Sequence, residues 1–284
     1  MKHYRRCVTA LLAGLTCLLP LSTGTALAAG ATGLPVVIQP SDANGNETSG
    51  PGYFVLTAAA GSTTHLYALL GNKSHQKAVV SIIPVDAATG VYGGVTAKLS
   101  SQPRRLVGAW IHLSVHKVKL DPDKGQVISF TLHVPLHTAP GQYVGALTAM
   151  VPAHDTQRGR GFAFTVQTRL ADDVVVTVPG PQSWTFQPKG VTGQRRTVGT
   201  YVIAHIKNSG TMMLSGWGYL WLWQPGRNKP VLAVPFRLGT ALPHTMTNYP
   251  LQLGKHPRTG RYAFELKVWW NGGKTDQHGS TRIR

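Results

Sequence analysis

The sequence contains little cysteine, and both cysteines, Cys7 and Cys17, lie close to the amino terminus. If a leader ends at Ala28, the 256 residues that follow contain no cysteine. A chain of this kind has no disulfide, no thiolate metal ligand and no cysteine nucleophile. It must be held together by apolar burial, for which this length is sufficient as two domains of ordinary size.

Long hydrophobic runs are also missing, apart from one near the start of the chain. The basic start MKHYRR is followed by VTALLAGLTCLLPL and then by small residues that end in ALAAG. This order predicts a secretory signal peptide over residues 1–28 with cleavage after Ala28. Because the run is shorter than the ~20 residues of a membrane span and contains Gly14 and Pro20, we predict an exported protein without a transmembrane anchor.

Acidic residues are scarce, and the imbalance is concentrated in the second half. The chain has 28 lysines and arginines but 10 acidic residues. Residues 29–180 contain 11 basic and 8 acidic residues, whereas residues 181–284 contain 14 basic residues and only Glu265 and Asp276 as acids. Outside a cell, such a surface would attract teichoic acids, anionic lipid headgroups or stray nucleic acid; the alternative is that the charge serves solubility or adaptation to an unusual medium.

The same scarcity argues against an enzyme. A glycosidase needs two carboxylates roughly 5 to 9.5 Å apart. Glu265 is predicted to point to solvent beside Lys267, and no other carboxylate has a visible partner that would shift its pKa. The remaining carboxylates considered lie in turns or at a strand start: Asp86, Asp121, Asp123, Asp172 and Asp173. We therefore predict a protein without catalytic activity and without a cofactor.

Histidine is abundant, but its spacing does not favour a metal site. His112 and His116 are four residues apart, as are His133 and His137. On a strand, four residues span about 13 Å, which is too far for two imidazoles to bind one ion. We predict no metal site from these pairs.

Little of the sequence has helical periodicity. Short apolar or alternating segments are separated about every ten residues by Gly, Pro, Asn or Asp, which is typical of an all-β sandwich or barrel. The segment VPGPQSW interrupts this pattern near residue 180. The predicted fold is all-β, with two immunoglobulin-like β-sandwich domains in tandem after the signal peptide. They cover residues 33–178 and 183–274, and a flexible tail covers residues 275–284.

A repeated motif supports two related domains. In each half a glycine, one residue and a tyrosine precede a strand: Gly141 and Tyr143, then Gly260 and Tyr262. In immunoglobulin-like sandwiches a tyrosine at this place bonds to the chain just upstream, and the glycine permits the tight turn. Asn72 and Asn208 occupy matching turns earlier in each half.

The first half resembles the N-terminal domain of the WxL-interacting proteins, which are surface proteins of Gram-positive bacteria. The resemblance lies in GYFVL from Gly52, Gly61, Asn72 with Ser74, DAATGVYGG, the apolar run around Trp110, and VPLHTAPGQYVGAL. The second half is similar to that family's second domain through VPFRLGTALPHTMTNYPLQL and RTGRY. The resemblance implies peptidoglycan binding by the first domain and protein binding by the second. Members usually end in a transmembrane helix, which this sequence does not show, so membrane anchoring is not carried over.

The segment WGYLWLW is the best candidate for a binding site. On a strand it places four aromatic residues on one face and small or leucine residues on the other. If the aromatic face is buried it forms a heavy core, which the usual burial of large aromatics favours. If it is exposed, it forms a row that could stack on sugars beside cations. The candidate ligand-binding residues are Trp217, Tyr219, Trp221 and Trp223, together with Trp269 and Lys267 on a later strand.

Together these features predict a secreted, non-catalytic protein of the bacterial cell surface. Its expected ligand is peptidoglycan or an anionic cell-wall polymer, and other surface proteins are possible partners. No specific nucleic-acid ligand is predicted. Three other interpretations remain open: a carbohydrate-binding accessory module, a scaffold that pairs its edge strands with another exported protein, and an enzyme with a site assembled across the sheets, which the scarcity of carboxylates disfavours.

Overall fold

The structure is a computed structural model that describes residues 36–151, 156–159, 162–165, 168–254 and 258–283. The predicted signal peptide, residues 1–28, lies outside the described residues. Among the residues described there is no helix of the length and apolarity that a membrane span requires.

The first sandwich contains twelve strands and one short helix within the described residues. In chain order these are β1 (Val36–Ser41), β2 (Phe54–Thr57), β3 (Thr63–Asn72), β4 (Ala78–Thr89), β5 (Val95–Ala97), α1 (Val107–Trp110), β6 (Ile111–Leu113), β7 (Lys117–Leu120), β8 (Gly125–His133), β9 (Gly141–Val151), β10 (Thr156–Gly159), β11 (Phe162–Thr165) and β12 (Thr168–Val178).

Two sheets enclose the core of this sandwich. One has the order β1-β3-β8-β6, and the other has the order β2-β12-β9-β4-β5, with β7 also paired to β4. These orders match the A-B-E-D and G-F-C arrangement of immunoglobulin sandwiches. Apolar side chains from alternate positions of both sheets meet between them, including Leu70, Ile82, Phe130, Leu147 and Val176.

The second sandwich contains seven strands. They are β13 (Phe186–Arg196), β14 (Gly199–Asn208), β15 (Leu214–Trp223), β16 (Leu232–Ala241), β17 (Met246–Gly254), β18 (Gly260–Trp270) and β19 (Gly273–Ile283). The sheets have the orders β13-β14-β17 and β16-β15-β18-β19. A separate core includes Phe186, Ile206, Leu220, Tyr262 and Leu266. The predicted all-β fold with two immunoglobulin-like sandwiches is confirmed.

One local prediction is wrong. The segment predicted as a flexible tail forms β19, which pairs with β18 along its whole length. The first pair is Gly260 with Ile283 and the last is Trp270 with Gly273. The strand is not evident from this polar sequence, because an edge strand needs few apolar side chains. The buried residues of β19 are Thr281 and Ile283. The apolar run around Trp110 begins with the helical turn α1.

Both predicted tyrosine corners are present. The Tyr143 hydroxyl donates to the carbonyl of Ala139 over 2.9 Å, and the Tyr262 hydroxyl donates to the carbonyl of Arg258 over 2.6 Å. Gly141 and Gly260 have the same φ of 145°, a conformation that favours glycine. Each corner therefore fixes the start of the equivalent strand, β9 or β18.

The two asparagine turns are also equivalent. The Asn72 side-chain amide donates to the carbonyl of Gln76 over 2.7 Å, and the Asn208 amide donates to the carbonyl of Met212 over 2.8 Å. Each side-chain oxygen accepts the N–H of the residue two positions later, at 3.0 Å in both turns. Both asparagines are fully buried, so each amide replaces backbone partners that the turn lacks.

A glycine-rich loop after β4 joins the two sandwiches. The Gly94 N–H donates to the Thr240 carbonyl over 2.7 Å, and the Gly239 N–H donates to the Tyr92 carbonyl over 3.0 Å. A side chain on Gly93 would lie 2.5 Å from the Gly239 backbone, so the two backbones approach as closely as glycine permits. This loop is the GVYGG part of the DAATGVYGG segment, which therefore has an architectural role.

Candidate functional site

The aromatic face of β15 points outward. Along this strand Gly216, Leu220 and Leu222 are buried, whereas the side chain of Trp217 is 57% exposed. The inner face is filled from the neighbouring strand, because the ring of Phe236 occupies the place where a side chain on Gly218 would lie, 2.0 Å away. The interpretation of the aromatic face as core is therefore wrong.

The strand register assembles a row of four side chains across the sheet. Trp217 lies opposite Arg237 on β16 and opposite Trp269 on β18, and Trp269 lies opposite Lys274 on β19. Three strand spacings give the row a length of about 14 Å. We call Arg237, Trp217, Trp269 and Lys274 the indole row. Two indoles between two cations can contact a ring-shaped, negatively substituted ligand.

The next aromatic pair along β15, Tyr219 and Trp221, makes most of its contacts with other side chains of the protein. Tyr219 and Trp221 stack with ring centroids 3.9 Å apart and planes inclined by 22°. The Lys267 ammonium lies 5.1 Å from the centre of the Trp221 ring, and it also contacts Glu265 at 2.7 Å. Because these groups cover one another, the pair leaves less ring surface exposed for a ligand than the indole row does.

The remaining candidate, Trp223, lies at the far end of β15. It is opposite Ala263 on β18 and is partly exposed on the same outer face. All six candidate side chains thus lie on one surface, and the two tryptophans of the indole row are the pair with flanking cations on both sides. The register across four strands, which no single segment reveals, brings Arg237 and Lys274 into the site.

The carboxylates of the first sandwich have structural surroundings that sequence reasoning missed. The buried Asp86 side chain accepts the backbone N–H groups of Arg105, Leu106 and Gly108 at 2.7 to 3.2 Å. It thereby fixes the loop before α1.

Asp172 differs from the other carboxylates. Its side chain is 5% exposed, and its Oδ2 atom has no hydrogen-bond partner among the described residues. Burial, together with the charge of Asp173, raises the pKa of Asp172 to about 7. No partner for this carboxyl is visible in the sequence, and burial is the larger cause of the shift in its pKa.

No cluster of three metal-ligating side chains occurs among the described residues. The His133 ring instead bonds to the Thr63 hydroxyl at 2.9 Å, and the His205 ring bonds to Thr192 and Asn248 at 2.8 and 2.7 Å. These histidines have local hydrogen-bonding roles on the surface.

A second concavity lies where the sandwiches meet. The cleft has a volume of about 510 Å³ and a mostly apolar lining that includes Leu106, Tyr143, Leu242 and Met246. His244 lies at its edge with a φ of 60°, a conformation that is uncommon for a residue other than glycine. No local sequence pattern indicates this cleft, because its walls come from both sandwiches.

The comparisons with known proteins find similarity only at the level of structure. No family model matches the sequence, and no curated protein matches it. A Pseudomonas aeruginosa CupB2 chaperone is 11% identical with a TM-score of 0.36, and the match covers 81% of this chain and 97% of that chain. The YadV chaperone is 10% identical with a TM-score of 0.37 over 88% of this chain and 100% of that chain.

A third similar structure is the CsuC–CsuE chaperone–tip adhesion subunit pre-assembly complex from Acinetobacter baumannii. It is 12% identical with a TM-score of 0.37, and the match covers 79% of this chain and 94% of the matched chain. Identities and scores this low carry no conclusion about function. The resemblance to WxL-interacting proteins stays a prediction.

Proposed function

We propose that this protein is a non-catalytic binding protein of the bacterial cell surface that holds a glycan of the cell wall on the outer face of its second sandwich. The observation that carries the proposal is the outward-facing indole row. The second core is complete without these tryptophans, because Phe236, Leu220 and Leu266 fill it.

The chemistry of the row fits a sugar chain. Indole faces pack against the apolar C–H face of a sugar ring, and exposed tryptophan surface leaves water favourably when it does so. Arg237 lies 5.4 Å from the centre of the Trp217 ring, where it can also contact a negatively charged substituent of the ligand. A row about 14 Å long can contact more than one sugar unit.

The proposed location at the bacterial cell surface rests on the predicted signal peptide and on the resemblance to the WxL-interacting proteins. Export through a signal peptide would place the chain outside the cytoplasm. The family resemblance implies glycan binding by the first domain. However, the residues that carry the resemblance have structural roles in this fold. Asn72 closes a turn, Gly93 lies where the two sandwiches contact each other, and Tyr143 forms a tyrosine corner. We therefore assign the glycan contact to the second sandwich.

The test is co-sedimentation of residues 29–284 with purified Gram-positive walls, before and after acid removal of teichoic acid. The double variant Trp217→Ala/Trp269→Ala should bind the walls without teichoic acid at least about tenfold more weakly, because two stacking surfaces are lost. Trp184→Ala is the matched control, since Trp184 is also exposed, at 47%, but lies outside the row.

Unchanged binding by the double variant would contradict the proposal. Binding only to walls that retain their proteins would instead indicate a partner surface protein. Thermal unfolding of each variant checks that the fold is retained, which we expect because both indoles lie outside the second core.

A further inference from the structure

The end of the second sandwich at which β13 and β19 finish carries a concentration of exposed arginines. The register places Arg261 directly opposite Arg282, and it places Arg196 next to the turn that leads into β14. We call this group the distal arginines; its members are Arg195, Arg196, Arg258, Arg261 and Arg282, all of them exposed.

Among the residues that the structure describes, the acidic side chains of the second half lie far from Arg261 and Arg282. The acids of the second half, Glu265 and Asp276, lie four and six residues along their strands from Arg261 and Arg282, about 13 and 20 Å away. Glu265 contacts Lys267 at 2.7 Å, and Asp276 contacts His278 at 3.4 Å. Within the described ranges, no ion pair involves Arg196, Arg258, Arg261 or Arg282.

The facing arginines cost stability. Like charges directly opposite each other on neighbouring strands repel, and the other distal arginines add to this repulsion. The Arg261 Nε atom donates to the Ser280 hydroxyl over 2.9 Å, which holds this guanidinium beside β19. An anion bound between them would remove the repulsion.

A polar groove lies beside these side chains. It has a volume of about 640 Å³ and runs between β13 and β19, with Thr192, Gln194, Arg195, Ser280 and Arg282 in its walls. The strands approach closely at Gly193, where a side chain would lie 2.7 Å from the Arg282 carbonyl oxygen. The groove therefore offers hydroxyl and amide groups along with guanidinium groups.

We propose that this groove and the distal arginines bind a phosphodiester polymer. Guanidinium groups bind phosphate oxygens through two parallel hydrogen bonds, and a chain of phosphates can contact several arginines at once. The site lies about 26 Å from the indole row, which is the length of the eight residue steps along β18 from Arg261 to Trp269. It is a second site and does not depend on glycan binding by that row.

The test measures binding of residues 29–284 to synthetic poly(glycerol phosphate) across a salt series. Arg261→Gln/Arg282→Gln should bind about a hundredfold more weakly, since two charge-assisted contacts are lost. Lys189→Gln/Lys207→Gln is the matched control, because it removes the same charge elsewhere on the second sandwich; it should stay within about threefold of the unmodified chain.

A conservative variant separates specific phosphate contacts from general charge. Arg261→Lys/Arg282→Lys keeps the charge but removes the forked geometry, so we expect binding about tenfold weaker than that of the unmodified chain. Poly-glutamate should bind more weakly than the phosphate polymer and respond equally to both glutamine pairs. Trp217→Ala/Trp269→Ala should leave binding of poly(glycerol phosphate) unchanged, so failure of the glycan proposal and failure of this one are distinguishable.

Three results would overturn the proposal. Equal losses in the arginine and lysine double variants would show attraction by net charge alone. Poly-glutamate bound as tightly as the phosphate polymer would remove the preference for phosphate. Tighter, arginine-dependent binding to phosphatidylglycerol vesicles than to the polymer would identify lipid headgroups as the source of the phosphate.

Discussion

At the start of β9 and at the start of β18, a tyrosine hydroxyl donates to the carbonyl four residues upstream, but the surroundings of the two corners differ. A side chain on Gly141 would lie 2.8 Å from the Thr211 carbonyl oxygen of the second sandwich, whereas one on Gly260 would have no atom of the described residues within 4 Å. The same tyrosine corner thus lies at the contact between the two sandwiches in the first case and away from that contact in the second.

The two sandwiches also differ in their charge and in the side chains on their outer faces. The first has nearly balanced charge and a buried carboxylate, Asp172. The second has outward tryptophans and exposed arginines, with only two acids. Because the conserved geometry of corners and turns uses few residues, the outer faces are free to differ. The shared corners and turns therefore determine the fold, while the exposed faces differ in the side chains that they present to solvent.

The largest expected effect concerns Asp172, which has no counterpart in the second core. Its pKa rises from 3.8 to about 7 on folding, so the folded state binds the proton more tightly. The stability that this proton contributes is complete below pH 3.8 and is lost as the pH rises towards 7. Asp172→Asn should therefore raise the free energy of unfolding at pH 8 by up to about 4 kcal/mol.

Chemical denaturation at pH 5 and at pH 8 checks this expectation. The gain should be smaller at pH 5, where the unmodified side chain is largely protonated in the folded state. Asp121→Asn, on an exposed side chain that contacts Lys77 at 3.1 Å, is the control and should change stability little. A gain that does not depend on pH would contradict the assignment.

The second prediction tests the equivalence of the two asparagine turns. Asn72→Ala and Asn208→Ala should each lower the free energy of unfolding by about 3 kcal/mol, because each leaves buried backbone groups without partners. Asn228→Ala, in an exposed loop, should have almost no effect. Denaturant titration measures all three, and a large difference between the first two would break the equivalence.

The smallest expected effect concerns the docking of the sandwiches. Gly93→Ala should cost about 2 kcal/mol more than Gly94→Ala, because only the first side chain meets the Gly239 backbone. Both glycines have positive φ, 83° and 93°, so the backbone strain is matched. Hydrogen exchange at the Gly94 and Gly239 amides should speed up in Gly93→Ala. Equal behaviour of the two variants would show that the close approach does not hold the sandwiches together.

Much of the frame could be predicted from the sequence. The positions of most strands, the paired corners at Tyr143 and Tyr262, and the turns at Asn72 and Asn208 follow from local spacing. The segment that forms β19 could not be recognised, because hydrogen bonds to β18 rather than an apolar pattern hold it. Edge strands carry little of their own signal.

The sequence by itself determined that β15 has an aromatic face and a leucine face, because side chains alternate along any strand. Only the tertiary structure decided which face is buried, since that depends on Phe236 of the neighbouring strand filling the space above Gly218. Likewise, net charge could be counted along the chain, but strand register alone placed Arg261 opposite Arg282 and Trp217 between Arg237 and Trp269. Long-range pairing creates these neighbours, and no local pattern encodes them.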